Sequence, residues 1–187
     1  QLLTRPGIAV YSVAFSPDGH TLAAGSTDGK VWLWNVTDPA HATQIGQPLT
    51  GPTGAIYLVA FSPDGHGHTL AAGSDDRKVW LWNVTNPAHA TQIGQPLTGP
   101  GGAVNWVAFS PDGHTLAAAS FEDKVWLWNI TNPAHATQTG QPLTGPNDLV
   151  SSVAFSRDGH TLAAGSSGGK VWLWNVTNPA HATQIGQ

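Results

Sequence analysis

The chain has 187 residues, 40% of them hydrophobic and 10% charged, which suits one ordinary domain with a hydrophobic core. Its net charge of -4 and its seven scattered Lys and Arg residues provide no basic stripe to grip a nucleic-acid backbone, so we expect no nucleic-acid partner. The chain has no cysteine, which excludes disulfides, thiol catalysis and thiolate metal sites. No apolar run approaches about 18 residues, so we expect no membrane partner and predict a cytoplasmic protein.

The sequence is built from four copies of one unit. The phrase Val-Ala-Phe-Ser occurs once in each unit, beginning at Val13, Val59, Val107 and Val153. The steps of 46, 48 and 46 residues indicate a repeat architecture whose units stack on one another. We predict a single domain, residues 1–187, with both chain ends inside an outermost strand. The predicted units are about 1–46, 47–94, 95–140 and 141–187.

Each unit begins with two short apolar runs that predict a β-hairpin. In the first unit they are joined by a turn in which Pro17 presets φ and Gly19 accepts a positive φ. The β-branched and aromatic residues of Val-Trp-Leu-Trp-Asn predict a third strand after a further turn. A weaker fourth strand is predicted outermost, because Pro48 cannot donate a hydrogen bond to a ladder.

This unit of four short strands resembles a WD40 repeat, most closely the repetitive kind found in bacterial signalling proteins. The resemblance rests on Val-Ala-Phe-Ser-Pro-Asp-Gly and on the strand that ends in Trp34. It implies an all-β fold of β-propeller blades, four in each chain. Asn35 replaces the Asp of the family's Trp-Asp pair, and Pro52 replaces the His of its Gly-His pair.

The resemblance also implies a bracing network inside each blade. In the family a His, a turn Asp, a Ser and the Trp are joined by hydrogen bonds. Here the His is missing from every unit, and the turn Asp remains as Asp28 and Asp76. The structural residues that the resemblance implies are Trp34, Trp82, Trp128, Trp174, Ser26, Ser74, Ser120 and Ser166.

Four blades make half of a ring, since WD40 propellers usually close with seven or eight blades. Left alone, the first and last blades would each expose an apolar face. Two chains related by a two-fold axis would provide eight blades, so we predict a homodimer that completes the propeller. The Gln1 end of one chain is expected to meet the Gln187 end of the other and to complete one blade in trans.

The four units differ mainly on one rim, which we call the top face. It comprises the segment before the first strand, the start of that strand, and the turn between the second and third strands. Drift in solvated loops is one explanation of the differences, and a recognition surface is the other. Tyr57, Trp106 and Phe121 favour recognition, because large aromatic side chains anchor interfaces.

We therefore predict a non-catalytic scaffold that binds a protein or peptide through the top face. Acidic residues around the aromatic ones favour a basic or amide-rich partner that inserts an apolar group. The predicted site residues are Tyr11, Asp28, Tyr57, Leu58, Asp75, Asp76, Arg77, Asn105, Trp106, Phe121, Glu122, Asp123, Asn147 and Asp148.

A lectin is the main alternative, because sugar-binding propellers often place an aromatic-lined pocket in every blade. Such pockets would keep the same residues in all units, as Trp32, Trp80, Trp126 and Trp172 do. The histidines fall mostly in repeated turns without the close spacing of a zinc site, so no metal or other cofactor is predicted. No set of Ser, His and Asp stands apart from the repeats, and we do not expect an enzyme.

Overall fold

The computed structural model describes residue 3, residues 8–63 and residues 69–186. Within these ranges the chain forms short β-strands and single turns of 3-10 helix. The strands are β1 Val10–Phe15, β2 Thr21–Ser26, β3 Val31–Asn35, β4 Thr43–Gln44, β5 Ile56–Phe61, β6 Thr69–Ser74, β7 Val79–Asn83, β8 Thr91–Gln92, β9 Val104–Phe109, β10 Thr115–Ser120, β11 Val125–Asn129, β12 Thr137–Gln138, β13 Val150–Phe155, β14 Thr161–Ser166, β15 Val171–Asn175 and β16 Thr183–Gln184. The 3-10 turns are Pro39–His41, Pro87–His89, Pro133–His135 and Pro179–His181.

The strands form four antiparallel sheets, each made of four consecutive strands in sequence order. We call these sheets blades 1 to 4, with β1 to β4 in blade 1 and β13 to β16 in blade 4. The predicted all-β fold with four blades in each chain is confirmed. The blades pack one after another along the chain. The predicted meeting of the Gln1 and Gln187 ends falls on residues outside the described ranges.

The outermost strand of each blade is the weakest. In blade 1, β4 contributes only two paired residues. The chain then passes Pro48 and returns to the same edge, where Leu49 exchanges two backbone hydrogen bonds with Val31. Because a proline without an N–H sits in this segment, the outer edge is paired at single points instead of along a full ladder.

The turn between β1 and β2 is stabilised by one carboxylate. Asp18 accepts hydrogen bonds from the Ser16 hydroxyl at 2.5 Å and from the His20 backbone N–H at 3.0 Å. These bonds favour the ionised form and hold the pKa of Asp18 below its usual value, with the Ser16 bond as the larger cause. The same bonds recur around Asp112 and Asp158. The same carboxylate bonding therefore stabilises this turn in blades 1, 3 and 4.

The asparagine at the end of the third strand of each blade also makes a structural contact. Asn35 Oδ1 accepts a hydrogen bond from the Thr37 N–H at 2.9 Å, and the three other units repeat this bond. The Asp38 side chain then caps the 3-10 turn by accepting from the Ala40 N–H at 3.0 Å. The first contact requires only an acceptor oxygen, so an amide serves as well there as the carboxylate of the family's Trp-Asp pair.

Neighbouring blades are held together by apolar side chains on the facing sides of their sheets. Between blades 1 and 2, Val31 and Leu33 pack with Ile56 and Val59, and all four are buried. Clusters of equivalent residues join blade 2 to blade 3 and blade 3 to blade 4. Side chains alternate along a strand, so Trp34 lies on the opposite side of its sheet from Val31 and Leu33.

The first and last blades each leave one side uncovered. On blade 1, Val13 is 60% exposed, although its copy Val59 is 3% exposed. On blade 4, Val171 is 73% exposed, whereas its copy Val31 is 0% exposed. Blade 1 therefore exposes the apolar face that blade 2 buries against blade 1, and blade 4 exposes the apolar face that blade 1 buries against blade 2.

We predict that Gly94→Ala lowers the free energy of unfolding more than Gly19→Ala does. Both glycines have a positive φ, 57° and 73°, so each substitution costs about 1–2 kcal/mol of backbone strain. A Cβ on Gly94 would also lie 2.8 Å from the backbone oxygen of Ala134 in the next blade, whereas a Cβ on Gly19 meets nothing within 4 Å. This crowding adds about 1–3 kcal/mol. Urea unfolding measures the difference, and equal losses would contradict the prediction.

Candidate functional site

A β-bulge near the start of the first strand of each blade determines what the top face presents. In β1 and β5 the pairing register shifts at Tyr11 and at Tyr57. Blades 3 and 4 have Asn105 and Ser151 at the same position. A bulged residue is left out of the ladder, so its side chain departs from the strict alternation of the strand. These four positions can therefore differ without disturbing the sheets.

The bulged tyrosines and one side chain of blade 3 form a surface on which Tyr57 is half-buried and the two other side chains are exposed. The rings of Tyr11 and Tyr57 stack with centroids 5.6 Å apart and planes inclined by 20°. Phe121, in the turn between β10 and β11, meets Tyr57 edge to face with centroids 5.7 Å apart. Tyr11 is 55% exposed and Phe121 is 45% exposed. We call these three residues the aromatic patch; it spans three blades and is open to solvent.

A carboxylate borders the aromatic patch. The Tyr57 hydroxyl donates a hydrogen bond to Asp75 Oδ1 over 3.3 Å. Burial of the phenol, and then the charge of Asp75, raise the pKa of Tyr57, so the hydroxyl keeps its proton at neutral pH. Asp75 itself is exposed. The site therefore combines aromatic rings with an accessible negative charge.

Two of the predicted site residues pack between blades. Leu58 lies against the cluster between blades 2 and 3, and Trp106 lies against the cluster between blades 3 and 4. Both come directly after the bulged position, where the strand has resumed its regular pairing. Their side chains consequently point to the neighbouring sheet, and they are not part of the aromatic patch.

Asn105 joins two blades. Its Nδ2 donates a hydrogen bond to the backbone oxygen of Val150 at 2.9 Å. Its Oδ1 is buried and has no hydrogen-bond partner among the described residues. Ser12 makes a comparable connection, because its hydroxyl accepts from the Val59 N–H at 3.1 Å. Polar side chains near the bulge thus tie the first strands of adjacent blades together.

Asp76 organises the turn between β6 and β7. Its carboxylate accepts hydrogen bonds from Trp80 Nε1 at 3.0 Å, from the Thr53 N–H at 3.2 Å and from the Lys78 N–H at 3.2 Å. Trp80 lies two residues before Trp82, the tryptophan to which the family resemblance assigned the bracing role. The acceptor that stabilises this blade's buried indole is therefore a top-face residue.

The equivalent turns of blades 3 and 4 do not provide this acceptor. Glu122 and Gly168 occupy the position of Asp76. Nε1 of Trp126 and Nε1 of Trp172 are buried and have no hydrogen-bond partner in the described part of the chain. A buried donor without an acceptor destabilises the fold, so the variation in these top-face turns has a cost in stability.

The serines of the implied bracing network contact their own turns. Ser26 donates to Asp28 Oδ1 at 2.5 Å, and Ser120 donates to Glu122 Oε2 at 3.2 Å. The hydroxyls of Ser74 and Ser166 donate to backbone oxygens, at 3.2 and 3.4 Å. The four tryptophans assigned to the same network are all buried: Trp34, Trp82, Trp128 and Trp174. Because it accepts the hydrogen bond from Ser26, the Asp28 carboxylate is engaged within its own turn.

Arg77 holds a strained backbone in the same part of the top face. Its φ is 68°, and among the described residues no other residue except glycine has a positive φ. Gly29 and Gly169 occupy this position in blades 1 and 4. The conformation costs about 1–2 kcal/mol in an L-residue, and such strain clusters at functional sites. The remaining predicted residues are exposed: Asp123, Asn147 and Asp148.

Recesses elsewhere offer less distinctive chemistry. One recess, of about 450 Å³, lies between the turns that contain Asp112 and Asp158. In the described ranges no group of three or more His, Asp or Glu side chains could hold a metal ion. No helix in those ranges has the length and apolar character needed to cross a membrane.

Four successive antiparallel sheets, each with a bulged first strand and a short outermost strand, are blades of the WD40 type. The family model of the WD domain, G-beta repeat, matches residues 2–35, 43–83, 91–129 and 137–175. The chain belongs to the WD40 repeat family. Members of this family are typically protein-interaction scaffolds and are generally non-catalytic. A search of curated proteins found no match to the chain.

We predict that Asp76→Ala lowers the free energy of unfolding by about 1–3 kcal/mol, because Trp80 Nε1 would stay buried without its acceptor. Asp76→Asn keeps one acceptor oxygen and should recover part of the loss. Asp123→Ala removes an exposed carboxylate from the next blade's turn and should change stability by less than about 0.5 kcal/mol. Urea unfolding curves compare the three variants. Equal effects of Asp76→Ala and Asp123→Ala would show that the indole bond contributes nothing.

Proposed function

We propose that the chain is a non-catalytic scaffold that binds a protein or peptide through the aromatic patch. The observation that carries the proposal is that Tyr11, Tyr57 and Phe121 come from three blades and yet form one continuous surface, on which Tyr57 is half-buried and the other two are exposed. The repeats are otherwise nearly identical, and blade 4 has Ser151 at the position of the two tyrosines. Large aromatic side chains supply much of the binding energy at protein interfaces.

The charges around the patch indicate the chemistry of the partner. Asp75 is exposed beside Tyr57, and Asp123 is exposed two residues after Phe121. We infer a segment that places an apolar side chain on the rings and a Lys, Arg or amide group beside Asp75. A charge-assisted hydrogen bond to the carboxylate and a cation–π contact with the tyrosines would then act together.

Carbohydrate binding through Trp32 and its copies has less support. Trp32 and Trp80 are each 7% exposed. A Cβ on Gly51 would lie 2.6 Å from the Trp80 ring, so the loop between blades covers that ring closely. A sugar platform requires an open ring face, which Trp32 and Trp80 lack.

A displayed peptide library tests the proposed site. We expect selection on the wild-type chain, with counter-selection on the Tyr57→Ala, Phe121→Ala double variant, to enrich peptides that combine basic or amide side chains with an apolar one. An enriched peptide should bind the Tyr57→Ala chain about 30-fold more weakly, which corresponds to the loss of about 2 kcal/mol at an interface hot spot. Fluorescence anisotropy with the labelled peptide measures the dissociation constants.

The matched control for this experiment is Ser151→Ala. Ser151 is the bulged residue of blade 4 and is exposed, so its substitution tests the same position away from the aromatic patch. It should leave peptide binding unchanged. Tyr57→Phe keeps the ring and removes only the hydroxyl, so it separates ring contacts from the Asp75 bond. Peptides that bind the wild-type and Tyr57→Ala chains equally would refute the proposed site.

We also propose that two chains associate through their open blade faces and form an eight-bladed ring with two-fold symmetry. The support comes from the repeats themselves. The open side of blade 4 carries Val171, a copy of Val31, and the open side of blade 1 carries Val13, a copy of Val59. Val31 and Val59 pack in the same cluster between blades 1 and 2. Each open face therefore finds its complement on a second copy.

Leu3 supports this arrangement. It packs against the cluster that contains Trp34 and Val36 of blade 1. Leu49 belongs to the cluster that contains Trp82 and Val84, the copies of those residues in blade 2. Leu3 therefore contacts blade 1 in the same way as Leu49, at the edge of blade 1, contacts blade 2.

Light scattering tests the association. We expect a mass of about 39 kDa for the wild-type chain, twice the 19.5 kDa of one chain. Val13→Asp places a charge on the open face of blade 1 and should give the mass of a single chain. Because Val13 is largely exposed within one chain, this substitution should not unfold the blade. A wild-type chain that stays monomeric, or a Val13→Asp chain that stays dimeric, would contradict the proposal.

A further inference from the structure

The turn between the second and third strands has the same backbone hydrogen bond in blades 1, 2 and 4. In blade 2 the Arg77 N–H donates to the Ser74 oxygen at 3.2 Å. Gly29 and Gly169 donate the equivalent bonds in blades 1 and 4, at 3.3 and 3.1 Å. All three donor residues have a positive φ, with 68° at Arg77, 76° at Gly29 and 75° at Gly169. The turn is therefore built for glycine, and blade 2 has an arginine there.

The arginine strains the backbone, and the turn does not require a side chain. With a positive φ, the Cβ of an L-residue crowds the neighbouring carbonyl oxygen, and glycine avoids this because it has no Cβ. Blades 1 and 4 form the same turn with glycine. An arginine at a position that suits glycine indicates a role other than folding, because such strain clusters at functional sites.

The guanidinium of Arg77 is available to a partner. Arg77 is exposed, and its guanidinium forms no hydrogen bond or ion pair with the residues that the structure describes. The other cation of the turn is Lys78, which is half-buried and has its Nζ 5.8 Å from the centre of the Trp80 ring. Of the two cations, Arg77 is therefore the one that an approaching molecule meets.

Arg77 also lies next to the aromatic patch. Asp75, two residues earlier in the same turn, accepts a hydrogen bond from the Tyr57 hydroxyl at 3.3 Å. Residues two positions apart have Cα atoms within about 7 Å of each other. A partner centred on Tyr57 can therefore reach a carboxylate and a guanidinium at once.

We propose that the segment bound to the aromatic patch carries an Asp or Glu side chain, which Arg77 binds through two parallel hydrogen bonds. This inference rests on the proposed function and gives its partner a second charge, opposite in sign to the first. The planar guanidinium matches the two oxygens of a carboxylate. A phosphate group fits less well, because its larger negative charge would be repelled by Asp75 and Asp76.

The spacing of Asp75 and Arg77 also suits an extended partner segment. Side chains at positions i and i+2 of an extended chain point to the same side and lie about 7 Å apart. A basic or amide residue at one of these positions would meet Asp75, and an acidic residue at the other would meet Arg77. The partner segment is then expected to combine an apolar residue with two oppositely polarised neighbours.

Parallel selections from one displayed peptide library test the acidic residue. The wild-type chain is the target in one selection and the Arg77→Ala chain is the target in the other. Both should enrich an apolar residue with a basic or amide residue, and only the wild-type chain should enrich Asp or Glu at a fixed spacing from it. A synthesised peptide from the wild-type selection should bind Arg77→Ala about tenfold more weakly, as expected when a charge-assisted pair is lost. Fluorescence anisotropy measures the dissociation constants.

Three further variants separate charge from strain. Arg77→Gly should bind the peptide as weakly as Arg77→Ala, but its thermal midpoint should be about 2–4 °C higher, because glycine relieves the strain. Arg77→Glu should prefer a peptide whose acidic residue is replaced by Lys over the original peptide. Arg157→Ala is the matched control: it removes an exposed arginine from the turn between β13 and β14 and should leave binding unchanged.

The outcomes distinguish this inference from the proposed function. If the peptide binds Arg77→Ala as tightly as the wild-type chain while Tyr57→Ala weakens binding, the role of Arg77 is overturned and the proposed function stands. An equal loss with Arg157→Ala would also overturn it, because net charge would then explain the effect. A library that yields no peptide able to distinguish the wild-type chain from Tyr57→Ala would overturn both.

Discussion

The burial of one sheet face against the next is the constraint on which the rest of this structure depends. A blade has short strands, an outer strand of two paired residues and few charges, so it has no core of its own. Val31 and Leu33 are buried only because Ile56 and Val59 of the next blade cover them. Stability is therefore a property of neighbouring pairs, as in other repeat proteins. This explains why the interface residues repeat so closely while the top face varies.

The architecture could be predicted from sequence because it follows from local chemistry that is repeated. The spacing of Val-Ala-Phe-Ser, the turn at Pro17 and Gly19, and the weak outer strand at Pro48 each follow from backbone preferences. The bulge in the first strand could not be predicted in the same way. It depends on the register between two strands, and a one-residue change of register reverses which side a residue faces. Variation between units at the start of the first strand predicts Leu58 on the top face, whereas the residue packs between blades because it follows the bulge.

The candidate site combines predictable and unpredictable features. Stacking of Tyr11 on Tyr57 follows from the repeat, because equivalent positions of adjacent blades are neighbours. The contact of Phe121 with Tyr57 does not, since it depends on the turn of blade 3, where the Glu122 N–H bonds to the Ser120 oxygen. The bond between Asp76 and Trp80 was also missed, because the family pattern directs attention to the other tryptophan. In both cases the decisive geometry is the conformation of one short turn.

The near-identity of the blade interfaces has a consequence for how such a chain reaches its correct arrangement. Because the repeated residues give every blade nearly the same two faces, side-chain chemistry distinguishes one interface from another only at positions such as Ser12, Leu58 and Trp106. The connecting loops, which hold successive blades at high effective concentration, enforce the order. The number of blades in a finished assembly is then a geometric quantity. It is set by the angle between successive sheets, and no individual residue encodes it.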